Sequence, residues 1–331
     1  MIVSRAPVRF SLGGGGTDLP SYAKEHGGFL VAAAIDKHIF VCANRRFYPT
    51  IRLAYSKTET ADSVDEIEHR IFREALRFSG ITSGIELISV ADMPPNSGLG
   101  SSSTFTVALL NALHAYKREF VPSGQLAEEA CKIEIDILKE PIGKQDQYIS
   151  AFGGISAFTF NPDGSVEVER VPIKPEVMDE LEMNLLIFYS GIDRPAATVL
   201  TEQGNIIKEN KDSAVDRMHK IKALGYDTRR LLLAGDVDSY GTLLHEHWNI
   251  KRGLASKMTD SSIDEHYEAA LKAGALGGKL MGAGGGGFFM FYARPQERRA
   301  VYEVMTKRGL RPLRFRFDFD GARIVANFHR S

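Results

Sequence analysis

Pro94-Pro95-Asn96-Ser97-Gly98-Leu99-Gly100-Ser101-Ser102-Ser103 decides how this chain folds and what it binds. The stretch follows an apolar, β-rich run at 84–90 and opens a helix from about 101 to 118. Phe105, Ala108, Leu109, Ala112, Leu113 and Tyr116 fall at i, i+3, i+4, i+7, i+8 and i+11, one continuous helical face. Lys117 and Arg118 at its end suit the helix dipole. The glycines let the backbone approach a ligand closely. The serines lie where a helix has unpaired N–H groups. Free donors at the positive end of a helix make a phosphate site. One serine would suffice as an N-cap; three after Gly-Leu-Gly point to phosphate or Mg²⁺ ligation. The Gly-Lys-Ser/Thr ending of a Walker A loop is missing, so this phosphate binder is of another class.

Two other places share the 31 glycines of the chain unevenly. Gly282-Ala283-Gly284-Gly285-Gly286-Gly287 formally matches GxGxxG. A dinucleotide loop follows a strand and opens a helix. Here the pattern predicts the reverse, a loop that follows a helix and opens the strand Phe288-Phe289-Met290-Phe291-Tyr292, so dinucleotide binding is rejected. So many glycines are entropically costly for a mere turn and point to a nearby ligand or phosphate. Gly13-Gly14-Gly15-Gly16-Thr17-Asp18 ends in a hydroxyl and a carboxylate, which hydrogen-bond sugar hydroxyls well; the bland alternative is an Asp18 cap for a helix near Pro20.

Outward from these loops the chain reads as mixed α/β. Strands are predicted at 1–12, 29–47, 51–56 and 84–90, and helices at 63–79 and 124–138. A hairpin at 154–160 and 165–171 turns on Asp163-Gly164. Residues 173–182 read as a crossing into the second half. There, a strand at 184–190 precedes helices at 196–224, 227–234, 236–252 and 262–273. Strands at 287–293, 312–319 and 323–329 follow, the last two around Asp320-Gly321. Phe315, Phe317 and Phe319 alternate with charged residues, predicting one buried strand face.

At 331 residues the chain is long enough for about two domains and a large core. Forty-one basic and 42 acidic residues nearly cancel, which argues against nucleic acid or an anionic membrane as partner. Two cysteines, Cys42 and Cys131, exclude a disulfide scaffold and a four-cysteine zinc site, and point to a reducing, cytoplasmic setting. No run reaches the length of a membrane span, and Met1 to Ala6 lacks the features of a signal peptide.

Charged residues in apolar surroundings mark candidate chemistry. Glu134 shares a face with Ala127, Ala130, Cys131 and Leu138, where a bare carboxylate is costly. A lysine would satisfy it; so would a Mg²⁺ shared with Ser102. Asp146 follows in Gly143-Lys144-Gln145-Asp146-Gln147-Tyr148 and is suited to accept an acceptor hydroxyl's proton. Arg9, in the first strand, either stands exposed or holds the Asp146 carboxylate ionised. His245 and His247, two apart on a helix, make a poor metal pair, and Trp248 reads as core.

The three loops occur in the order and at the spacing of a known family: the sequence resembles the GHMP kinases, which include galactokinase, homoserine kinase, mevalonate kinase and phosphomevalonate kinase. The motifs are Arg5 through Gly13 running on to Thr17-Asp18, Pro94 through Ser103, and Lys279 through Gly287. The resemblance implies an α+β, two-domain fold. Its parts would be a ribosomal protein S5 domain 2-like N-terminal domain, 1–178, and a ferredoxin-like C-terminal domain, 179–331. It implies ATP and Mg²⁺ as cofactors, with Pro95, Asn96, Ser97, Gly98, Leu99, Gly100, Ser101, Ser102 and Ser103 around the nucleotide. Ser102 and Glu134 fall where the family places Mg²⁺ ligands. Asp146 falls on its catalytic aspartate and Arg9 on the basic partner of that aspartate. Asp18 falls on a sugar-contacting aspartate. Gly14, Gly15, Gly16 and Thr17, with Asp146, Gly282, Gly284 and Gly285, complete the implied substrate contacts.

One departure is informative. Galactokinases read Gly-Glu-His-Thr-Asp in the first motif, and here Gly15 and Gly16 replace the glutamate and histidine. That leaves room for a larger sugar. The run from Arg9 to Pro20 looks most like that of bacterial D-glycero-D-manno-heptose 7-phosphate kinases. Those make the 1,7-bisphosphate on the way to GDP-heptose for capsule and related glycans. Such a substrate needs a basic pocket, for which Lys37, His38, Arg45, Arg46, Lys144, Lys251 and Arg252 are candidates. The expected partners are thus a sugar phosphate and ATP, with a monomer or homodimer and no nucleic acid or membrane. Rival readings are a fucokinase- or galactokinase-like sugar-1-kinase and a catalytically silent sugar- or nucleotide-binding regulator.

Overall fold

The structure, a computed structural model, describes all residues except 96, 193–195, 210, 255–260, 283 and 329–331, and omits the side chains of 196–198, 203, 208, 209, 211 and 212. The strands are β1 (Ile2–Gly13), β2 (Gly28–Arg45), β3 (Ile51–Ala54), β4 (Thr58–Ala61), β5 (Ile85–Ala91), β6 (Ile155–Phe160), β7 (Val166–Arg170), β8 (Leu185–Tyr189), β9 (Gly277–Leu280), β10 (Phe288–Tyr292), β11 (Arg311–Leu313) and β12 (Arg323–Asn327). The helices are α1 (Pro20–His26), α2 (Arg70–Ser79), α3 (Ser101–Tyr116), α4 (Ser123–Cys131), α5 (Gln145–Phe152), α6 (Pro175–Asn184), α7 (Ala196–Glu209), α8 (Lys211–Ala234), α9 (Val237–Lys251), α10 (Ser261–Lys272) and α11 (Arg298–Lys307).

One sheet runs β12-β1-β2-β5-β3-β4, with β6 paired to β2 and β7 to β6. β2 is long enough to pair with β6 over its first half and β5 over its second, while β1 runs beside it. The register of β1 slips between Pro7 and Arg9 and again between Ser11 and Gly13. Such bulges re-aim side chains, and these two bracket Arg9 and Ser11. β1 and β2 are mostly buried because α3, α5 and α8 pack on them.

The second sheet runs β11-β8-β10-β9, all antiparallel. Numbered within this half, that is the order 4-1-3-2 of a strand–helix–strand–strand–helix–strand unit, the ferredoxin-like arrangement. β10 is buried throughout. Phe288, Met290 and Tyr292 enter one core, while Phe289 and Phe291 enter another with Trp248 and Tyr267. The period-two alternation of one strand thus joins both halves. No helix among the described residues is long and apolar enough to cross a membrane.

Several sequence expectations are corrected. The helix predicted at 63–79 is α-helical only from Arg70, after a single 3₁₀ turn at Val64–Glu66. The crossing at 173–182 contains α6, started by Pro175. The helix break expected near 225 is absent: Gly225 lies inside α8, where a Cβ would come 3.0 Å from the Phe29 carbonyl oxygen. The loop 282–287 follows strand β9, not a helix; it still opens a strand, so the dinucleotide reading stays rejected.

The hairpin predicted at 312–319 and 323–329 does not form. β11 pairs with β8 in the second sheet and β12 with β1 in the first, and between them Phe317 forms a bridge to Ile35 of β2. Phe317 is buried and Phe319 exposed, so the three phenylalanines do not share a face. Assigning all of 179–331 to the second domain fails for the same reason, because β12 completes the first sheet.

Candidate active site

A cleft of about 330 Å³ lies where the three glycine loops meet. Gly98 (φ +81°) and Gly100 (φ +77°) adopt left-handed backbone that side chains rarely tolerate. A Cβ at Gly100 would come 2.8 Å from Asp146 Oδ2, so glycine lets the carboxylate reach the start of α3. Gly100 is the N-cap of α3 and supplies no side-chain cap. The serines are therefore not spent on capping. The Oγ atoms of Ser97 and Ser101 are buried without a protein partner among the described residues, and Ser102 Oγ donates to Glu134 Oε1 at 2.8 Å. Ser97, Gly98, Gly100, Ser101, Ser102 and Ser103 line the cleft. Pro95 is exposed outside it, Leu99 is buried in the core, and Asn96 lies outside the described residues.

Glu134 reaches the cleft through a local irregularity. The helix of α4 widens at Lys132–Ile137 into a π-helix, marked by the Leu138 N–H bond to the Ile133 carbonyl. Glu134 is fully buried on that segment. It accepts hydrogen bonds from Ser102 and from Gln147 Nε2, the latter at 2.7 Å. Burial pushes its carboxyl up to about 7, against the pull of those donors. No lysine or arginine pairs with it among the described residues. Ser102 and Glu134 offer two adjacent oxygens, a set that fits Mg²⁺ when phosphate and water oxygens supply the rest. Among the described residues no group of three or more His, Cys, Asp or Glu forms a fuller metal site.

Asp146 stands in the first turn of α5 and is partly open to the cleft. Arg9 Nε donates to its Oδ1 at 2.7 Å and Nη2 to its Oδ2 at 2.8 Å, a bidentate pair. Arg9 is buried, not exposed, and its Nη1 donates to the Gly98 carbonyl at 2.6 Å. One side chain thus ties β1, the serine loop and α5 together.

Asp18 also lines the cleft. It accepts from the Gln145 N–H at 3.0 Å and the Gly16 N–H at 3.2 Å. Burial raises its pKa, and Asp146 nearby adds to the rise. It does not cap α1, whose N-cap is Leu19. Gly143 is glycine because a Cβ there would lie 2.0 Å from Asp18 Oδ2.

Gly15 and Gly16 line the cleft, but Gly14 and Thr17 do not. Thr17 is fully buried, its hydroxyl 2.8 Å from the Gly14 carbonyl oxygen and 2.9 Å from that of Phe29. Its expected substrate contact is replaced by a structural one. Among the described residues of the third loop only Gly282 lines the cleft; Gly284 and Gly285 do not. A Cβ at Gly282 would come 2.6 Å from Gly98 Cα, and one at Gly287 2.3 Å from the Ser97 carbonyl oxygen. Gly282 and Gly287 are glycine because the loop packs there backbone to backbone on the serine loop.

Ser11, Gln145 and Gln147 escaped the sequence reading. Polar residues flanking Asp146 in a buried first turn were the available signal. Of the seven basic candidates only Lys251 lines the cleft. Lys37 pairs with Asp36, His38 with Asp318 and Lys144 with Glu128, while Arg252 faces Asp264.

The GHMP kinases N-terminal domain matches residues 60–154 and the GHMP kinases C-terminal domain residues 228–310, together more than half of the chain. The chain belongs to the GHMP kinases and is a phosphotransferase. It is 26% identical over 321 residues to the D-glycero-alpha-D-manno-heptose 7-phosphate kinase of Campylobacter jejuni, covering 92% of this chain and 93% of that one. It is 25% identical to the L-fucokinase/L-fucose-1-P guanylyltransferase of Bacteroides fragilis, over 94% of this chain but 37% of that larger protein. The crystal structure of a D-glycero-D-manno-heptose 1-phosphate kinase from Bacteroides thetaiotaomicron superposes with a TM-score of 0.82 at 26% identity, covering 99% of this chain and all of that one.

Proposed function

We propose that this protein is an ATP-dependent sugar-1-kinase that phosphorylates the anomeric hydroxyl of D-glycero-D-manno-heptose 7-phosphate to give the 1,7-bisphosphate. The observation that carries the reading is the Arg9–Asp146 pair, set against Gly100 at the start of α3 with Ser102 and Glu134 beside it. The unpaired N–H groups and positive pole of α3 seat the triphosphate of ATP. Mg²⁺, when bound, neutralises charge on the phosphates, and Ser102 and Glu134 are the residues that would hold it.

Asp146 orients the acceptor hydroxyl and takes its proton as the new oxygen–phosphorus bond forms and the γ-phosphorus bond to the bridging oxygen of ATP breaks, with ADP leaving. Arg9 fixes the rotamer of Asp146 and offsets negative charge on the transferring group. Most of the rate comes from such positioning and electrostatics. Asp18, Gly15 and Gly16 face the sugar. The lack of bulk at 15 and 16 and the likeness to the Campylobacter kinase support a heptose over a hexose. A place in GDP-heptose biosynthesis, in the cytoplasm, goes with this reading.

A coupled ADP-release assay tests it. The panel holds the manno-heptose 7-phosphate, sedoheptulose 7-phosphate, mannose, mannose 6-phosphate, fucose and galactose. Turnover concentrated on the manno-heptose phosphate supports the reading. Preference for an unphosphorylated hexose moves the substrate, and ADP release with none of them sinks the sugar-kinase assignment.

A further inference from the structure

Lys251, the last residue of α9, is only 9% exposed, yet it lines the cleft. Its Nζ donates to the Gly282 carbonyl at 2.6 Å, and no carboxylate pairs with it among the described residues. A buried ammonium with one neutral acceptor is costly to keep. The charges that act on it are Arg9, which repels it, and Asp18, which attracts it. Both are already engaged, Arg9 by Asp146 and Asp18 by two backbone N–H groups.

A second buried lysine, Lys279 on β9, has its Nζ 3.4 Å from the Leu12 carbonyl oxygen and no carboxylate partner among the described residues. Burial, Lys251 and Arg9 push its pKa well down. His247, one turn before Lys251 on α9, is buried; burial and the two lysines push its pKa well down, so it adds no charge of its own. Lys251 is therefore the cation that lines the cleft with Asp18 and has no carboxylate of its own among the described residues, while the serine loop meets a nucleotide's phosphates with neutral donors.

We propose that Lys251 seats a phosphate dianion carried by the acceptor. The inference rests on the kinase reading above and adds the residue that selects a phosphorylated sugar over a free one. A lysine suits the task as a compact point charge that needs no bidentate geometry. The transferring phosphoryl of ATP is the other source of the same chemistry, and the experiment separates the two.

Wild type, Lys251→Gln and Lys251→Met are compared; glutamine can keep the bond to Gly282 without the charge. Each form is saturated with Mg²⁺ and a non-hydrolysable ATP analogue, whose affinity is measured by calorimetry. Inorganic phosphate is then titrated in while the melting temperature is followed. The proposal expects equal analogue affinity within about twofold, and a phosphate-induced stabilisation in wild type that both variants lose. In turnover, KM for manno-heptose 7-phosphate should rise about 30-fold in Lys251→Gln, as for loss of a charged hydrogen bond, with little change for the unphosphorylated heptose.

An undiminished phosphate response with an unchanged KM overturns the proposal. A loss confined to analogue affinity overturns the acceptor assignment and gives Lys251 to the nucleotide. A wild type that ignores every phosphorylated sugar defeats the heptose reading, while the phosphate titration still decides whether Lys251 is an anion seat.

Discussion

The serine loop at 97–103 and the glycine loop at 282–287 touch each other, yet glycine serves them differently. In the first, Gly100 leaves space beside Asp146, near buried serine hydroxyls without protein partners among the described residues, while Gly98 makes room for the Met281 carbonyl. In the second, the vacant Cβ positions of Gly282 and Gly287 are filled by backbone of the first loop and that of Gly286 by Ile192. Glycine richness reports close approach; the polar atoms alongside reveal what approaches. Gly14 repeats the lesson, since a Cβ there would meet the Phe29 carbonyl oxygen at 2.2 Å.

The contrast breaks most sharply at Asp146. Asp146→Asn should lower kcat about 10³-fold while leaving ATP-analogue affinity within about threefold. Retention of more than about a tenth of kcat would remove Asp146 from the chemistry. On the packing side, Gly287→Ala adds a methyl group at φ +90° against the Ser97 carbonyl and should destabilise the fold by about 3 kcal/mol. Urea titration reads this directly, and an unshifted midpoint would mean the loop contact is soft.

Glu134 sharpens the comparison through pH. Its carboxyl is raised from 4.5 to about 7 in the folded protein. Between those values the folded state binds a proton that the unfolded chain has released, so stability is lost as pH rises through that window, by up to about 3 kcal/mol. Glu134→Gln removes this loss, so the variant should gain on wild type from pH 5 to 8 in metal-free buffer. MgCl₂ should recover the loss in wild type alone. A melting-temperature gap that stays constant with pH would show that the carboxylate is neutralised in another way. The smallest effect is expected at Ser101→Ala, which deletes a hydroxyl without a protein partner: ATP-analogue affinity falls roughly tenfold or less, and the melting temperature holds.

The local parts of this site were legible in sequence. The apolar face of α3 and the glycine-serine run before it are near-neighbour patterns. Glu134 stood out as a charge on an apolar stripe. The pairing of Arg9 with Asp146 spans 137 positions, which no periodicity reaches; the residues left it open beside an exposed Arg9, and the family resemblance favoured it. The same limit explains β12, whose partner strand β1 lies at the opposite end of the sequence and left no mark in the turn at Asp320-Gly321. Gly225 misled because the usual helix penalty of glycine is outweighed by the close passage of α8 over Phe29. The π-turn under Glu134 has no composition signal, since it changes the hydrogen-bond step and not the residue types.

The pairing of β1 with β12 also bears on synthesis. Ile2–Arg5 leaves the ribosome long before the strand that covers it, Arg323–Asn327. Until then the nascent chain carries an apolar, hydrogen-bond-hungry edge, a setting in which chaperones and off-pathway strand pairing compete for the same residues. Slow translation of the second half would lengthen that exposure, and shortening the chain before Arg323 would make it permanent.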